Sequence, residues 1–428
     1  MQRQTAIYTL APGQATEVKR RMLDWADQFN ILLFLDSNQY PSQYEGYECL
    51  VAVGAEGNDL TAQSLAEVQQ LHDTQRDWLF GHISYDYKNV TEPALRSAHP
   101  EKTGFPLIHF FVPTTVCHIN RQQTTLTIES MEDPELVHDH IMNYAAAEVA
   151  PLPELEFERV IGRESYIDTV NQLREHITEG DCYEINFCTE GFCAGVDVKP
   201  LDVYKALNGL SPAPFSAYYR LADSYMACAS PERYLRNDGT TILSQPIKGT
   251  ARRGKDAEED ERIKIALRQD LKEQAENVMI VDLVRNDLAR CCIPGSVAVD
   301  ELFGIYTFPQ VHQMISTVHG ELRADVPFTD AIRHSFPMGS MTGAPKYKVM
   351  QLIEHYERAR RGLYSGTVGY ITPAGDFDFN VVIRSLFYNA ATRYLSYQTG
   401  GAITYDSDPA REWDEMRLKA WALERVFK

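Results

Sequence analysis

Two pairs of glutamates have a spacing that could hold a divalent cation. Glu273 and Glu276 lie three residues apart, as do Glu412 and Glu415, and Lys419 follows four residues after the second pair. Residues three and four apart share one face of a helix, so each pair presents two carboxylates together. If the two faces converge, they could bind Mg²⁺, which takes oxygen ligands. The alternative is a solvated helix face, the usual role of an isolated pair.

Lys248 and Glu232 are candidates for covalent and acid-base chemistry. Lys248 lies in the turn-rich stretch 246–250, Pro-Ile-Lys-Gly-Thr. If its surroundings desolvate it, its pKa falls and its amine can act as a nucleophile; the alternative is a surface lysine. Glu232 follows a mostly apolar segment, so burial could raise its pKa and make it an acid-base group. Alternatively, Glu232 is a turn residue bonded to Arg233 or to the backbone.

Arg384 and a glycine pair are candidates for binding an anion. Arg384 interrupts the apolar stretch 381–387, where an unpaired charge is costly. A carboxylate held in a bidentate clamp or an internal salt bridge would satisfy it. Gly400 and Gly401 could present backbone N–H groups to an anion or could form a tight turn.

The elements that must position these residues form a mixed α/β pattern. Strands are predicted at 49–53, 78–85, 105–115 and 183–188, and a linker at 151–156. Helical spacing predicts a helix over 165–179, with Ser165 as its cap and Gly180 as its stop. One long helix is predicted over 256–289, another opens at Pro345, and the last holds 412–426.

Composition limits the function classes. The 428 residues include 41 Lys+Arg and 60 Asp+Glu, for a formal net charge of −19. This balance argues against a nucleic-acid binder, and it also argues, more weakly, against an anionic substrate. Neither a signal peptide nor a membrane span is predicted. The eight cysteines include no Cys-x-x-Cys, so we expect reduced thiols in a cytoplasmic protein.

Nucleotide and zinc signatures are absent. The stretch 249–255 nearly spells a phosphate-binding loop, but Asp256 stands where a Ser or Thr hydroxyl should meet magnesium. The sequence contains no G-x-G-x-x-G and no H-E-x-x-H. Because these motifs are absent, the paired glutamates, Lys248 and Arg384 remain the main candidates for chemistry.

Six stretches together resemble the chorismate-utilising enzymes, which include anthranilate synthase component I, aminodeoxychorismate synthase component I, isochorismate synthase and salicylate synthase. They run in order from about residue 160 to the end, whereas the first 150 residues match loosely. Lysine in the Pro-Ile-Lys-Gly-Thr loop resembles the aminodeoxychorismate synthases, since anthranilate synthases resemble Pro-Ile-Ala-Gly-Thr. The stretches are 246–250, 275–288, 336–346, 364–369, 383–386 and 412–419.

The resemblance implies a role for each candidate residue. Lys248 would attack the chorismate ring at C2 as the 4-hydroxyl leaves, and ammonia would then add at C4 and expel the lysine. Glu232 would assist departure of the hydroxyl. Glu276 and Glu415 would bind Mg²⁺, with Glu273 and Glu412 behind them. The residues implied to contact the substrate are Arg384 and Tyr364 at the enolpyruvyl carboxylate, backbone N–H groups near Gly401 and Ala402, Ser340 and Lys419.

Three positions depart from the family pattern. Gln313 stands where the family often has histidine, and His312 is its neighbour, on the other face if the segment is a strand. The glycine loop has Ala402 where a second glycine is usual. Glu184 occupies the place where other members carry Gln or Lys that handles the nucleophilic water.

The resemblance also implies a fold and a regulatory pocket. We expect two β-sheets flanked by helices, as in anthranilate synthase component I, with an N-terminal subdomain over 1–150 interleaved with a chorismate-binding domain over 155–428. Some members bind tryptophan in the N-terminal half. Candidate residues for such a pocket are Ser37, Tyr44, Tyr47, Pro214, Phe215 and Ser216, and the alternative is that they only pack the core.

The activity expected from the resemblance is conversion of chorismate and ammonia to 4-amino-4-deoxychorismate, for p-aminobenzoate and folate synthesis. A glutamine amidotransferase subunit would supply the ammonia. The competing enzyme is anthranilate synthase component I, and an inactive chorismate-binding or regulatory subunit is the alternative from another class.

Overall fold

Single strands of this protein pack against two different cores. In the computed structural model, which describes residues 3–44, 46–54, 57, 59–145, 151–308 and 311–428, neighbouring residues of the strand Ile31–Asp36 lie on opposite faces. Leu33 packs into one buried cluster and Leu32 into another, as the two-residue period of a strand requires. Both faces are covered, which explains why this strand is a continuous apolar run.

The chain forms strands throughout and helices between them. The strands are β1 (Gln4–Thr9), β2 (Ile31–Asp36), β3 (Tyr47–Gly54), β4 (Asp59–Ala62), β5 (Leu79–Ile83), β6 (Ile108–Phe111), β7 (Thr115–Asn120), β8 (Thr125–Ser130), β9 (Glu158–Arg159), β10 (Glu184–Ala194), β11 (Phe215–Leu221), β12 (Ser224–Ser230), β13 (Arg233–Asp238), β14 (Thr241–Gln245), β15 (Ile247–Arg252), β16 (Ala298–Thr307), β17 (Val311–Glu321), β18 (Gly343–Ala344), β19 (Thr367–Ile371), β20 (Phe377–Asn380), β21 (Ser385–Asn389) and β22 (Tyr394–Ile403). The helices are α1 (Gln14–Ala26), α2 (Leu65–Gln75), α3 (Lys88–Thr91), α4 (Pro134–Asn143), α5 (Arg163–Thr178), α6 (Pro200–Leu210), α7 (Ala257–Gln269), α8 (Leu271–Ala289), α9 (Phe328–Ser335), α10 (Lys346–Tyr356) and α11 (Pro409–Arg425).

Two sheets organise the part of the chain that the structure describes. The large sheet has twelve strands in the order β1-β8-β7-β3-β2-β11-β12-β21-β22-β10-β18, with β9 beside β10. The small sheet has ten, in the order β15-β17-β14-β13-β20-β19-β5-β6-β4, with β16 beside β17. Their strand pairs are antiparallel. The expected fold class, two sheets flanked by helices in a mixed α/β protein, is therefore confirmed.

Strands from the beginning of the chain are built into both sheets. In the large sheet β2 pairs with β11, and in the small sheet β5 pairs with β19. The predicted N-terminal region thus shares its sheets with strands that lie far along the sequence. Its predicted boundary at residue 150 lies outside the described residues.

Three apolar clusters hold the layers together. The first contains Leu33 and Met226 from the large sheet and Phe80 and Phe379 from the small sheet, so it lies between the sheets. The second joins the other face of the large sheet to α1, α4, α6 and α11. The third joins α5, α10 and α11 to β10. As a result, α11 is packed against the large sheet along one side.

The prediction of one long helix over 256–289 is wrong. The segment forms two helices, α7 and α8, which meet at Asp270. The Asp270 carboxylate accepts hydrogen bonds from the backbone N–H groups of Lys272 at 2.9 Å and Glu273 at 3.1 Å. An aspartate in this position caps a new helix, because it satisfies N–H groups that have no partner within the helix.

Other element predictions differ at their edges. The strands predicted at 49–53, 78–85 and 183–188 are confirmed as β3, β5 and β10, while 105–115 holds the short β6 and the first residue of β7. Gly162, not Ser165, is the N-cap of α5. Pro345 caps α10 from outside the helix.

Within the described ranges, none of the helices combines the length and the apolar character that crossing a bilayer requires. All eight cysteines are buried and unpaired.

Candidate active site

Lys248 is buried where β15 leaves the regular ladder. The pairing of β15 with β17 is irregular between Ile247 and Thr250, and Gly249 has a φ of +90°, a left-handed conformation that favours glycine. Lys248 is only 8 % exposed, and its ammonium group forms an ion pair with Glu184. The alternative of a surface lysine is therefore wrong.

The charge around Lys248 differs from the expectation. Burial by itself would lower the pKa of Lys248, as the sequence analysis proposes for a free amine. The carboxylates of Glu184, Glu276 and Glu232 outweigh burial, and the pKa of Lys248 lies above its ordinary value. In the absence of substrate the amine is an ammonium group, so it must lose a proton before it can act as a nucleophile.

Glu232 is a buried carboxyl group beside Lys248. It is 4 % exposed, and its Oε1 accepts a hydrogen bond from the Ser340 hydroxyl at 2.6 Å. Burial raises the pKa of Glu232 to about 7, although Ser340 and Lys248 both favour the ionised form. Arg233 points elsewhere and binds Asp378 at 2.9 Å, so the alternative of a turn bonded to Arg233 is wrong. A carboxyl group with this pKa can donate or accept a proton near neutral pH.

Arg384 supplies an unpaired cation near Glu232. It lies just before β21 with a φ of +51°, and within the described residues its guanidinium forms neither an ion pair nor a hydrogen bond. Burial lowers the pKa of Arg384, and the charge of Glu232 partly opposes this effect. The alternative of an internal salt bridge is therefore not found. A half-buried guanidinium without a partner is suited to an anionic ligand.

Tyr364 lies close to the segment that carries Arg384. The backbone N–H of Ser365 donates to Val382 O at 2.9 Å, and this bond joins the two segments. Tyr364 is buried, with its hydroxyl 3.6 Å from Cys188 Sγ. The structure thus brings the predicted carboxylate-binding side chains into one region of the fold.

The glycine pair lies in a strand, so the alternative of a tight turn is wrong. Gly401 and Ala402 belong to β22, where Ala402 pairs with Asn186 of β10. The Asn186 side chain donates to Ser340 O at 2.9 Å. A Cβ on Gly401 would lie 3.3 Å from Glu412 Oε2, so the glycine allows α11 to approach the strand closely.

Lys419 ties α11 to that strand. Its Nζ donates to Gly400 O at 2.9 Å and forms an ion pair with Glu415 Oε1 at 2.8 Å. The beginning of α11 is fixed by Asp408, whose carboxylate accepts from the backbone N–H groups of Ala410 and Arg411, each at 3.0 Å. This arrangement directs Glu412, Glu415 and Lys419 towards one side of the helix.

The four predicted metal-binding glutamates surround one side chain, Lys272. Burial would lower the pKa of Lys272, but all four carboxylates raise it, and the result is above the ordinary value. Its Nζ lies 3.7 Å from Glu276 Oε1. The two glutamate pairs, one on α8 and one on α11, therefore face each other as expected. The four are Glu273, Glu276, Glu412 and Glu415.

The glutamates differ in their electrostatics. Burial raises the pKa of Glu276 to about 7, and Lys248 opposes the shift while Glu184 adds to it. Burial also raises the pKa of Glu273 and of Glu412. Glu415 is exposed, and Lys419 lowers its pKa.

These residues fit a hard cation. They offer only oxygen ligands, and Glu276 is a buried carboxyl group whose ionised form a bound cation would stabilise, since burial raises its pKa and the charge of Glu184 adds to the shift. The ligand atoms do not meet within 4.8 Å; among the described residues only His176, Glu179 and Asp181 do so. Glu276 and Glu415, with Glu273 and Glu412 behind them, are the residues that would hold Mg²⁺, and this role stays a prediction.

The apolar stretch 278–284, which follows Glu276, is only partly buried. Ile280 and Val281 are buried, but Val278 is 40 % exposed. The burial of Glu276 therefore comes from its place on α8 against the sheet and not from a uniformly buried helix.

Arg361 is an important site residue that the sequence analysis misses. It is 3 % exposed, pairs with Glu357 at 2.6 Å, and donates to Met341 O at 2.7 Å and Asn186 O at 2.9 Å. It thus holds the segments that carry Ser340 and Tyr364. The signal available in the sequence is the Glu-x-x-x-Arg spacing directly before the 364–369 stretch.

The predicted tryptophan-pocket residues lie around a real cavity. A cavity of about 60 Å³ is lined by residues that include Ser37, Tyr47, Pro214, Phe215 and Ser216. Tyr44 does not line it and instead lies near Arg233 and Arg236, with guanidinium carbons 5.4 and 5.5 Å from its ring centre. Tryptophan binding stays a prediction.

His312 and Gln313 point to opposite faces of β17, as their spacing on a strand requires. His312 binds Asp260 at 2.9 Å and Thr307 at 3.0 Å. The Gln313 Oε1 atom is buried and has no hydrogen-bond partner in the described ranges. His312 is thus held by Asp260 and Thr307 on the face of β17 opposite Gln313.

Comparisons with known proteins agree with this geometry. A family model described as chorismate binding enzyme matches residues 33–425. Aminodeoxychorismate synthase component 1 of Bacillus subtilis is 32% identical over 362 residues, 81% of this chain and 76% of that protein. Anthranilate synthase component 1 of Thermus thermophilus is 34% identical over 353 residues, 80% of this chain and 76% of that protein.

Some relatives are much longer than this chain. Plant and Streptomyces proteins named aminodeoxychorismate synthase are 40–42% identical over 61–63% of the chain, which spans only 28–37% of their length.

Among solved structures, anthranilate synthase component I from Streptococcus pneumoniae superposes with a TM-score of 0.77 at 23% identity, covering 99% of this chain and 92% of that one. This likeness establishes the fold, and the family match establishes more: the chain belongs to the chorismate binding enzyme family.

Proposed function

We propose that this protein is an aminodeoxychorismate synthase, which converts chorismate and ammonia to 4-amino-4-deoxychorismate. The observation that carries the proposal is the buried Lys248 in the Pro-Ile-Lys-Gly-Thr loop, beside the acid-base carboxyl group of Glu232. A lysine in this place can form a bond to the substrate ring, whereas an alanine cannot. The names of the Bacillus, plant and Streptomyces relatives support the same activity.

In the proposed reaction each side chain has one task. Arg384 binds the enolpyruvyl carboxylate, with Tyr364 and backbone N–H groups near Gly401. Mg²⁺, when bound by the glutamates of α8 and α11, supplies positive charge for the other carboxylate. Lys248 Nζ attacks C2 while Glu232 donates its proton to the departing 4-hydroxyl. Ammonia then attacks C4, and the bond between Nζ and C2 breaks.

Ammonia delivery and cellular role complete the proposal. The component 1 names of the Bacillus and Escherichia coli relatives support a separate glutamine amidotransferase as the ammonia source. The product would serve p-aminobenzoate and folate synthesis. The unpaired state of all eight cysteines supports a reducing compartment such as the cytoplasm.

Anthranilate synthase component I is the second candidate, because the Thermus relative of that name is 34% identical to this chain. Lys248 argues against it: a nucleophilic lysine has no task when ammonia attacks the ring directly at C2.

Product analysis separates these activities. Purified protein is incubated with chorismate, Mg²⁺ and ammonium, and the products are identified by chromatography and mass spectrometry. We expect aminodeoxychorismate. Anthranilate would support the second candidate, and unchanged chorismate would indicate an inactive binding subunit; both results contradict the proposal.

A further inference from the structure

Glu184 is the only carboxylate in the described chain that forms an ion pair with Lys248. It is the first residue of β10, is 1 % exposed, and binds Lys248 through Oε1. The two charges come from strands of different sheets, since β10 belongs to the large sheet and β15 to the small one. The pair therefore bridges the two sheets inside the candidate active site.

The second oxygen of Glu184 has no such contact. Oε2 is buried and lacks a hydrogen-bond partner among the described residues. A buried carboxylate oxygen without a donor costs free energy, and a neutral carboxylic acid in the same place costs less. Glu184 thus has one oxygen at Lys248 Nζ and a second oxygen that no described side chain or backbone group occupies.

The chemistry at Lys248 needs a group that can accept a proton from its ammonium form. The carboxylates around Lys248 keep it in its ammonium form, which has no lone pair for attack on C2. In the described part of the chain, Glu184 interacts electrostatically with Lys248 of β15 and with Glu276 of α8. Glu232, beyond Lys248, accepts from Ser340 and is needed as the acid for the 4-hydroxyl, and Glu276 is a predicted metal ligand. Glu184 alone combines contact with Lys248 and freedom from another task.

We propose that Glu184 is the catalytic base for Lys248; the proposal rests on the proposed function. A proton moves from Nζ to Oε1, and the lone pair of Nζ forms the bond to C2. The ring double bonds shift, the C4–O bond breaks, and the hydroxyl leaves as water with the proton of Glu232.

In the second half of the cycle the protons return. Ammonia attacks C4, the double bonds shift back, and the bond between C2 and Nζ breaks with its electron pair on Nζ. Glu232 accepts the surplus proton of the new ammonium group, and Glu184 returns its proton to Lys248. The sum is chorismate plus ammonia to aminodeoxychorismate plus water, with both carboxyl groups restored.

The test compares Glu184→Gln with a matched variant on the same strand, Glu190→Gln. Glu190 is also buried and binds Tyr394 at 2.9 Å, away from Lys248. We expect kcat of Glu184→Gln to fall about 10²-fold or more at neutral pH, the range for loss of an acid-base group, while chorismate affinity and the activity of Glu190→Gln stay near wild type. Activity of Glu184→Gln should recover as pH rises, because removal of the neighbouring carboxylate lowers the pKa of Lys248.

Two further measurements guard against loss of folding. Glu184→Asp keeps a carboxylate and should retain more activity than Glu184→Gln; equal losses contradict a proton-transfer role. In wild-type protein, a single turnover without ammonia should form the lysine adduct more slowly in D₂O than in H₂O, and equal rates contradict the base.

The failures are distinguishable. Wild-type protein that forms no aminodeoxychorismate contradicts the proposed function, and the base with it. Active wild-type protein beside an equally active Glu184→Gln variant contradicts the base alone.

Discussion

The cations of the candidate site show how an acidic protein can bind a small anion. The net charge of −19 describes the whole chain. Arg384, however, is half-buried near Glu232 and has no ion-pair partner among the described residues, and Lys419 lies at the glycine strand. A local field depends on the groups within a few ångströms, since more distant exposed charges are screened. The weak inference from composition against an anionic substrate therefore does not hold for this site.

Glu232 leads to a prediction about stability. Its pKa is raised from 4.5 to about 7, so between these values the unfolded chain loses its proton first. The free energy of unfolding therefore falls as pH rises through this window, and the loss is complete above it. Glu232→Gln removes the effect. We expect the variant to match wild type near pH 4.5 and to be more stable at pH 8, by at most about 3 kcal/mol.

Urea unfolding without substrate or metal at the two pH values checks this prediction. Glu261→Gln, an exposed glutamate on α7, is the control and should change little at either pH. If Glu232→Gln and wild type differ in stability by the same amount at both pH values, Glu232 is not the source of the pH dependence. Product formation by Glu232→Gln should meanwhile fall strongly, since the acid is lost.

At the residue scale, the sequence identifies the candidate catalytic residues more reliably than it predicts their pKa values. Lys248 and Glu232 are recognisable from their motifs, and their burial is confirmed. The raised pKa of Lys248 is not predictable, because Glu184, Glu232 and Glu276 approach it from three distant segments. That pKa depends on distances between residues that are far apart in the sequence, and local sequence spacing does not predict those distances.

At the scale of elements, α8 and α11 carry the metal prediction. Glu276 with a pKa of about 7 must lose a proton to bind a cation. We expect the apparent Mg²⁺ affinity to rise with pH up to about 7 and then to level off. Glu276→Gln should weaken the Mg²⁺ dependence of activity and remove this pH effect. Glu415→Gln should also weaken the Mg²⁺ dependence, but it should change the pH effect little, because the pKa of Glu415 is lowered.

Mg²⁺ titrations of activity at pH 6 and pH 8 provide the measurement. Glu261→Gln again serves as the control. Unchanged titrations in both variants would rule out the proposed ligands.

The Asp270 cap gives a second prediction at this scale. Asp270→Ala leaves the backbone N–H groups of Lys272 and Glu273 without their acceptor, which should lower the free energy of unfolding by about 1 kcal/mol. Asp256→Ala removes the corresponding cap of α7, where the carboxylate accepts from Glu259 N at 2.8 Å. We expect similar losses of stability from both, measured by denaturant unfolding, and weaker Mg²⁺ binding only from Asp270→Ala. Equal Mg²⁺ affinities in the two variants would contradict a role of this cap in placing Glu273 and Glu276.

The existence of these helices follows from periodicity, but their ends do not. The pattern over 256–289 is helical on both sides of Asp270, and the break depends on a cap that competes with continuation of the helix. The two glutamate pairs could be placed on helix faces from spacing alone. Their convergence depends on the packing of α11 against the large sheet, which no local pattern reveals.

In both sheets, strands from the first part of the chain form one end and continue directly into strands from the later part. β2 and β3 of the first half continue the sheet of β11, and β5 lies beside β19. Among these strands the sequence predicts β3 and β5; it also predicts a mixed α/β protein, and the family resemblance adds the two sheets. The order of strands depends on long-range pairing and is not deducible from apolar runs.

This topology predicts that residues 155–428 do not fold alone. Without the first half, β11 and β19 would expose edges, and the core between the sheets would lose Leu33 and Phe80. We expect the fragment to aggregate or to lack a cooperative thermal transition in circular dichroism, with the full chain as control. A soluble fragment with a sharp transition would contradict the interdependence of the two halves.

The central claim is that Lys248 bonds to the substrate ring, and intact-protein mass spectrometry tests it most directly. Protein mixed with chorismate and Mg²⁺, without ammonium or glutamine, should gain the mass of chorismate less one water. Lys248→Ala should show no adduct, the exposed-lysine control Lys255→Ala should behave as wild type, and added ammonium should discharge the adduct as aminodeoxychorismate. An adduct in Lys248→Ala, or aminodeoxychorismate formed at the wild-type rate by that variant, would contradict the account.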